Sequence, residues 1–462
     1  MRQLITKPNS AALAFLVAGS FWFLFGTTYG LFSAIHLMAP EFFSNIGALV
    51  FGRTRPIHVN TVVFGFVSLT LIGCALYYVP ALLRTRLWSE PLGWVSWVLW
   101  NAAVISGPGT FSLGVSQGRE YCEYIWVFDV CLVLSILAMI ANVVMTIASR
   151  RENMPYVSVW YFAGAMLWTA AVYPIGNVMW RPDTGALPGL IDSIVLWFYG
   201  HNLVGLLLTP MSVGVAYFVI PRVVRRPLYS HTLSLVGFWT LIAIYSHIGG
   251  HHILQAPIPN WLRTVSIVDS MMMIVPVATV LFNLWLTPAG LTGALWKDIG
   301  GRFVFVGSLW YLITCVQGPL QSLPSVQEIT HFNNWVIGHA HIAVLGFAGF
   351  SALGGLWHVL PLATGRQLYS MRLASLQFGL VLAGLIGFFL VLTTAGLIQG
   401  AAWRHGATVY KVLPEIAVYM VLRALLGLFI ISAAAVGLYN VIMTLFRGKP
   451  LEPSLPEGGA AS

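Results

Sequence analysis

Trp335-Val336-Ile337-Gly338-His339-Ala340-His341 lies inside the apolar stretch 332–362. A run of that length crosses a bilayer core of about 30 Å as one helix. Within lipid an imidazole is costly unless it binds something, so both histidines are candidates for function. Residues two apart on a helix point about 200° away from each other, at 3.6 residues per turn. His339 and His341 therefore address opposite sides of one helix and would hold two separate groups. Gly338, Ala340 and Ala343 keep that helix slim.

The rest of the chain has the same character. Of 462 residues, 58% are hydrophobic and 8% charged, against roughly 25% charged in soluble domains. Twelve apolar stretches are long enough to span, near 11–37, 57–80, 91–112, 124–147, 158–180, 188–220, 231–255, 263–287, 301–322, 332–362, 373–399 and 415–446. The expected fold is an all-α membrane protein, one bundle of about twelve transmembrane helices over 1–447. The Pro-, Gly- and Ala-rich tail 448–462 is expected to be disordered and cytoplasmic. The run after Arg2 and Lys7 is too long for a signal-peptide core of about 15 residues, so a retained helix is expected. The net charge of +9 is not a nucleic-acid surface. With an inside N-terminus, 15 of the 23 Lys and Arg fall on inner segments, which follows the positive-inside rule and puts both termini in the cytoplasm. The four cysteines, Cys74, Cys122, Cys131 and Cys315, form no C-x-x-C, and packing is their expected role. Loops are short, and no strong internal repeat or inverted pair of broken helices is apparent, which weakens a transporter reading.

Four further histidines sit at or in apolar runs. His58 opens the second span. That span and the tenth both run inward, so His58 and His341 lie towards the same outer surface. Low-spin haem needs axial ligands from two helices, and His58 is the natural partner of His341. His251-His252 follows Tyr245-Ser246-His247-Ile248-Gly249-Gly250. Neighbours on a helix are about 100° apart, so two imidazoles there can share an ion only if the backbone loosens, which Gly249-Gly250 would permit. His201, in Trp197-Phe198-Tyr199-Gly200-His201-Asn202, supplies a third ligand. Three imidazoles suit copper, zinc or iron. Tyr245 precedes His252 by seven residues, two turns on one face, within reach of His201. The ordinary alternative for a single buried histidine is a hydrogen-bonded packing residue. His36, His231, His331 and His405 are given no role, and His358 a packing one. His247, one turn before His251, is left open between an ordinary packing role and bracing the pair.

The phrases Arg55-Pro56-Ile57-His58-Val59-Asn60, Trp197 through Asn202, Tyr245 through His251-His252-Ile253-Leu254, and Trp335 through His341 resemble subunit I of the haem–copper oxygen reductases. The likeness is greatest to the C family, the cbb3-type cytochrome c oxidases. Gly118-Arg119-Glu120-Tyr121, Arg226-Pro227-Leu228-Tyr229-Ser230 and Arg423-Ala424-Leu425-Leu426-Gly427 extend it along nearly the whole chain. The resemblance implies a terminal respiratory oxidase that reduces O2 to water. It implies His58 and His341 on low-spin haem b, His339 on high-spin haem b, and His201, His251 and His252 on copper. Tyr245 would be the catalytic tyrosine, bonded to His201. It also implies calcium at Glu120, with Arg55 as a haem-propionate partner. Electrons would come from membrane-anchored c-type cytochrome subunits, because this chain has no C-x-x-C-H motif. The setting would be a bacterial-type inner membrane, with the lipid bilayer and no nucleic acid as partner.

The chain departs from that family at Gln317 and Asn334, where acids are usual, at Ser246-His247-Ile248-Gly249, and at Ile342-Ala343-Val344. Neutral amides cannot carry a pump's charge changes, so proton exit and pumping are the functions these departures touch. An inward proton path is conceivable through Tyr217 and Thr209. The rival within the superfamily is nitric oxide reductase, with non-haem iron and a glutamate four residues after the sixth-helix histidine; here that residue is Gly205. A non-catalytic haem-binding membrane protein is the rival outside it.

Overall fold

The computed structural model describes residues 5–451, and no strand is found among them. Twelve long helical segments follow one another among the described residues, as expected, with short helices in some of the connections. They are α1 (Ser10–Met38), α2 (Phe51–Leu82), α3 (Glu90–Ser112), α4 (Trp126–Ala148), α5 (Val157–Gly176), α6 (Leu190–Val224), α7 (His231–Tyr245), α8 (Asn260–Leu286), α9 (Ile299–Gln321), α10 (Asn334–Thr364), α11 (Met371–Arg404) and α12 (Val409–Arg447). Helices satisfy every backbone donor and acceptor internally, which a bilayer requires. The apolar cores of α2 and α6 are 89% and 83% buried, against 28% for α12. Thus α2 and α6 are inner helices, while α12 closes the bundle against α1 and α11.

Three of these helices share a local distortion. Each of α2, α6 and α10 passes through a wider π-helical stretch, Thr61–Ser68, Leu203–Leu208 and Ile342–Gly349. Such stretches are rare and are frequent at functional sites. Each begins just after a candidate histidine: His58, His201 or His341.

An internal repeat, not expected from the sequence, organises the bundle. Pro80-Ala-Leu-Leu-Arg84-Thr-Arg-Leu87-Trp88-Ser89, Pro221-Arg-Val-Val-Arg225-Arg-Pro-Leu228-Tyr229-Ser230 and Pro361-Leu-Ala-Thr-Gly365-Arg-Gln-Leu368-Tyr369-Ser370 are ten-residue versions of one connection. Each links an inner helix to the next. Arg84, Arg225 and Gly365 occupy the same left-handed position, at φ 50°, 53° and 65°. Ser89, Ser230 and Ser370 cap α3, α7 and α11 through their hydroxyls, which accept from the N–H three residues on at 3.2 Å. The same serines give their backbone N–H groups to Asn142, Asn283 and Asn440 in the C-terminal turns of α4, α8 and α12. The asparagine amides donate back to the serine carbonyls at 2.8–3.0 Å. The preceding N–H groups bond Thr146, Thr287 and Thr444. The repeats run in parallel, unlike inverted transporter repeats. Counting back from the three prolines, His58 and His339 share one register, and His201 and His341 another.

The seventh span departs from its expected course. Helix α7 stops at Tyr245, and His251 and His252 sit on a tighter 3-10 segment, Ile248–Ile253. The two glycines explain it. A Cβ on Gly249 would overlap the Trp197 carbonyl oxygen, and one on Gly250 would overlap Ser266 Oγ. The segment is wedged between α6 and α8, closer than any side chain allows. Against the expectation of a disordered tail from 448, residues 448–451 are pinned to the third connection. Gln367 N–H donates to the Lys449 carbonyl at 2.7 Å and Leu451 N–H to the Gly365 carbonyl at 2.9 Å. The rest of that tail lies outside the described residues.

Candidate metal and haem sites

His58 and His341 face each other, with ring centres 6.4 Å apart and planes within 20°. The Nδ1–H of His58 donates to the Gly26 carbonyl at 2.8 Å, and that of His341 to the Ile337 carbonyl at 2.7 Å. A carbonyl only accepts, so each ring keeps its proton on Nδ1 and presents Nε2 as a lone pair, the arrangement that orients a metal-bound histidine. Two imidazole–metal bonds of roughly 2 Å each, plus the distance from each nitrogen to its ring centre, account for the separation. The pair fits a six-coordinate haem iron. Gly30 makes room for it: a Cβ there would lie 2.7 Å from His58 Cε1.

On the opposite side of α10, His339 donates from Nδ1 to Gln317 Oε1 at 3.1 Å and stacks on Trp335 at 5.7 Å. It lines a cavity of about 200 Å3 that also touches His201, Tyr245, His251 and His252. The ligand atoms of His201, His251 and His252 all lie within 4.8 Å of one another. Nδ1 of His201 and Nε2 of His252 are 3.0 Å apart. Nε2 of His201 is buried without a hydrogen-bond partner, an exception that calls for an explanation in a buried polar group. Ser270 Oγ bonds His251 Nδ1 at 2.8 Å, which frees Nε2 for a metal. The three-nitrogen donor set fits copper, zinc or iron.

Several residues that hold this cluster were given no role from the sequence. Trp197 stacks on His252 at 4.1 Å and 14°. The Gln327 side-chain amide donates to the His251 carbonyl at 2.7 Å, and the Asn202 amide to the Ser246 carbonyl at 2.8 Å. Together they pin the 3-10 segment from both flanks. Arg423 is half-buried in α12, with its guanidinium 6.0 Å over Phe388 and a 3.3 Å bond to Asn334 Oδ1. Phe388 packs on His341, so a cation stands beside the bis-imidazole pair.

The Tyr245 ring lies parallel to His201, centres 4.3 Å apart and planes within 9°. Because α7 ends at Tyr245, the seven-residue helical spacing to His252 does not set this contact; packing of α6 against α7 does. A Cβ on Gly205 would overlap Tyr245 Cε1, so Tyr245 occupies the space that a longer residue at 205 would fill. His247 turns away from the cluster and bonds Asp269 Oδ2 through Nε2 at 2.5 Å. His358 packs on Tyr78 and Phe218.

Arg55 and Glu120, given separate roles from the sequence, form one ion pair. A calcium ion at Glu120 would have to displace that guanidinium, so the donors of this chain alone do not fit it. Beside them Glu123, in the connection before α4, is 4% exposed. Burial pushes its carboxyl up to about 7, and the 3.0 Å bond from Asn60 Nδ2 limits the rise. The unfolded chain loses this proton near pH 4.3. The neutral carboxyl therefore stabilises fully below that value, and the contribution, on the order of 3 kcal/mol, is lost as pH rises through about 7. Glu123→Gln should flatten the fall in thermal midpoint between about pH 4.3 and about pH 7; an unchanged pH dependence would contradict the assignment.

A membrane helix bundle that presents a facing imidazole pair and a three-imidazole cluster around one slim helix defines a multi-centre redox metalloprotein. The family model described as cytochrome c and quinol oxidase polypeptide I matches residues 10–429, and the chain belongs to that family. A cytochrome c oxidase subunit 1 homolog of Agrobacterium tumefaciens (strain T37) is 32% identical, over 97% of this chain and 85% of the relative. The cbb3-type cytochrome c oxidase subunit CcoN1 of Stutzerimonas stutzeri is 29% identical, over 93% of this chain and 94% of the relative. A solved haem–copper terminal oxidase dimer superposes with a TM-score of 0.81 at 16% identity, covering 96% of this chain and 84% of that one. At that identity it supports the fold.

Proposed function

We propose that the chain is the catalytic subunit of a terminal respiratory oxidase of the cbb3 type. It would reduce dioxygen to water with electrons delivered by membrane-anchored c-type cytochrome subunits in a bacterial inner membrane. One observation carries this reading: His201, His251 and His252 face His339 across a single cavity, with Tyr245 stacked on His201. When bound, two b-type haems and copper supply the redox chemistry. The residues of the chain do the rest. His58 and His341 orient one haem from two helices. His339 holds the other, its ring fixed by Gln317. Tyr245 keeps its phenolic proton inside the cavity, where general-acid transfer is possible, and its alignment with His201 suits the covalent link implied by the family. Proton supply from the inner face is served by Thr209, Tyr311, Thr314 and Cys315, which line the cavity, and by Tyr217, bonded from Asn283 at 3.4 Å.

The measurement that tests this reading is metal content together with a redox optical spectrum of the purified complex. Two haems and one copper per chain are expected; iron in place of copper would favour nitric oxide reduction. Two variants sharpen it. His341→Ala should lose the low-spin haem signal and keep the high-spin one. His251→Ala should lose copper with both haem signals retained. Loss of both haems from either variant would mean that the centres are not separately held.

A further inference from the structure

The segment that carries His251 and His252 has little structure of its own. Helix α7 stops at Tyr245, His247 stands at the corner with φ −125° and ψ 7°, and six residues of 3-10 helix follow. Such helices have poor hydrogen-bond geometry and seldom run beyond about four residues, so neighbouring elements have to hold this one. Two tethers lie on its flanks, from the Asn202 amide to the Ser246 carbonyl and from the Gln327 amide to the His251 carbonyl. One turn of α8 supplies the others. Ser266 lies against Gly250, Ser270 Oγ bonds His251 Nδ1 at 2.8 Å, and between them Asp269 Oδ2 bonds His247 Nε2 at 2.5 Å.

The His247–Asp269 pair has no part in the chemistry described so far. Neither residue lines the cavity. Their side chains are 44% and 20% exposed, so the pair lies on the flank of the bundle. Both fall within the expected seventh and eighth spans, 231–255 and 263–287, where an ionisable side chain is costly unless it is paired. Asp269 is the only acid in α8. Ser246 Oγ stands 3.3 Å from His247 Nδ1, so both ring nitrogens are engaged and the ring is fixed. Bonds with an ionised partner are about twice as strong as neutral ones, and the other tethers are neutral. Asp269 and Ser270 are also neighbours in sequence. One grips the corner of the segment and the next grips the ligand His251.

We propose that the His247–Asp269 pair is a positioning clamp for the three-imidazole centre. It fixes the corner after Tyr245 to α8, so that His251 and His252 keep the spacing that holds the metal. Neither residue touches the metal or the reacting atoms. That the metal is copper rests on the function proposed above; the clamp acts on the imidazoles and would serve iron equally. Removing a partner that orients metal-bound histidines costs about 10–100-fold in metal affinity. The clamp acts one step further out, so the lower end of that range is expected.

The test compares the whole purified wild-type complex with His247→Ala, Asp269→Ala and His247→Gln. Glutamine is the conservative replacement, since its amide nitrogen can donate to Asp269 much as imidazole Nε2 does. Two quantities are measured: the rate at which the cluster metal is lost to EDTA, with the haem spectrum alongside, and amide hydrogen exchange over Ser246–Ile253. Both alanine variants should lose the metal about tenfold faster and exchange faster over that segment, with both haem spectra unchanged. His247→Gln should restore most of both. A wild-type rate of metal loss in either alanine variant overturns the proposal. So does a His247→Gln variant as impaired as His247→Ala, because the bond to Asp269 would then not be what acts. If the alanine variants lose their haems, Asp269→Asn decides. It keeps the size and an accepting oxygen but makes the bond neutral, so the metal should leave a few-fold faster with the haems in place, and a wild-type rate overturns the proposal. Iron in the wild type would count against the oxidase reading and not against the clamp, which is read from the ratio of variant to wild type. With no metal in the wild type, exchange alone decides, and unchanged exchange in the alanine variants overturns the proposal.

Discussion

Tyr245→Phe should leave both haem spectra and the copper content unchanged while oxygen turnover falls by about 10²–10⁴-fold, the usual contribution of a positioned proton donor. The substitution removes only Oη. The ring that stacks on His201 remains, and Phe fills the same space between Gly205 and the imidazole. Structure and metal binding should therefore survive. What disappears is the single phenolic proton beside the three-imidazole cluster. Oxygen consumption measured next to optical and metal analysis separates the two effects. Full turnover in the variant would reject the role of Tyr245.

Gly205→Ala should be nearly as damaging, for a steric reason. The added methyl would occupy the position of Tyr245 Cε1. Inserting a methyl group into a packed interior typically costs ~1–3 kcal/mol, and here the side chain that must yield is Tyr245. Displacing it breaks the stack on His201, so turnover should drop with the haem content near wild type and the thermal midpoint lowered. Gly205→Glu goes further, since the longer side chain has no room beside Tyr245; oxygen turnover should be lost and the thermal midpoint should fall below that of Gly205→Ala. If either variant kept wild-type turnover, the packing of α6 on α7 around Tyr245 would not be what positions the phenol. The same steric fact bears on function. A chain with glycine at 205 and tyrosine at 245 has space for the phenol and none for a glutamate.

Much of the site can be read from the chain. The opposed directions of His339 and His341 follow from 3.6 residues per turn, and the structure puts them on separate sites. The matching of His58 with His341 follows from span direction. The grouping of His201, His251 and His252 as candidate ligands follows from donor chemistry. What periodicity could not show was the end of α7. The seventh apolar stretch was expected to span 231–255, with Gly249-Gly250 only loosening it, yet the helix stops, because Trp197 and Ser266 on neighbouring helices approach too closely for it to continue. Nor could the separate motifs around Arg55 and Glu120 show that they meet in one ion pair. That contact joins α2 to the connection before α4, residues far apart in sequence. The ten-residue connection that recurs three times was present in the letters, but its meaning lay in the Asn–Ser and Thr bonds between helix ends.

Sequence alone determined the order of the apolar segments and the candidate ligand side chains. These depend on hydropathy over about 20 residues and on the donor atoms that imidazole carries. Only the tertiary structure decided which imidazoles converge, where Tyr245 lies, and which carboxylates are already paired. Those outcomes depend on how closely one helix approaches another, a distance set by glycines and aromatic rings on different segments and not by any one segment's pattern.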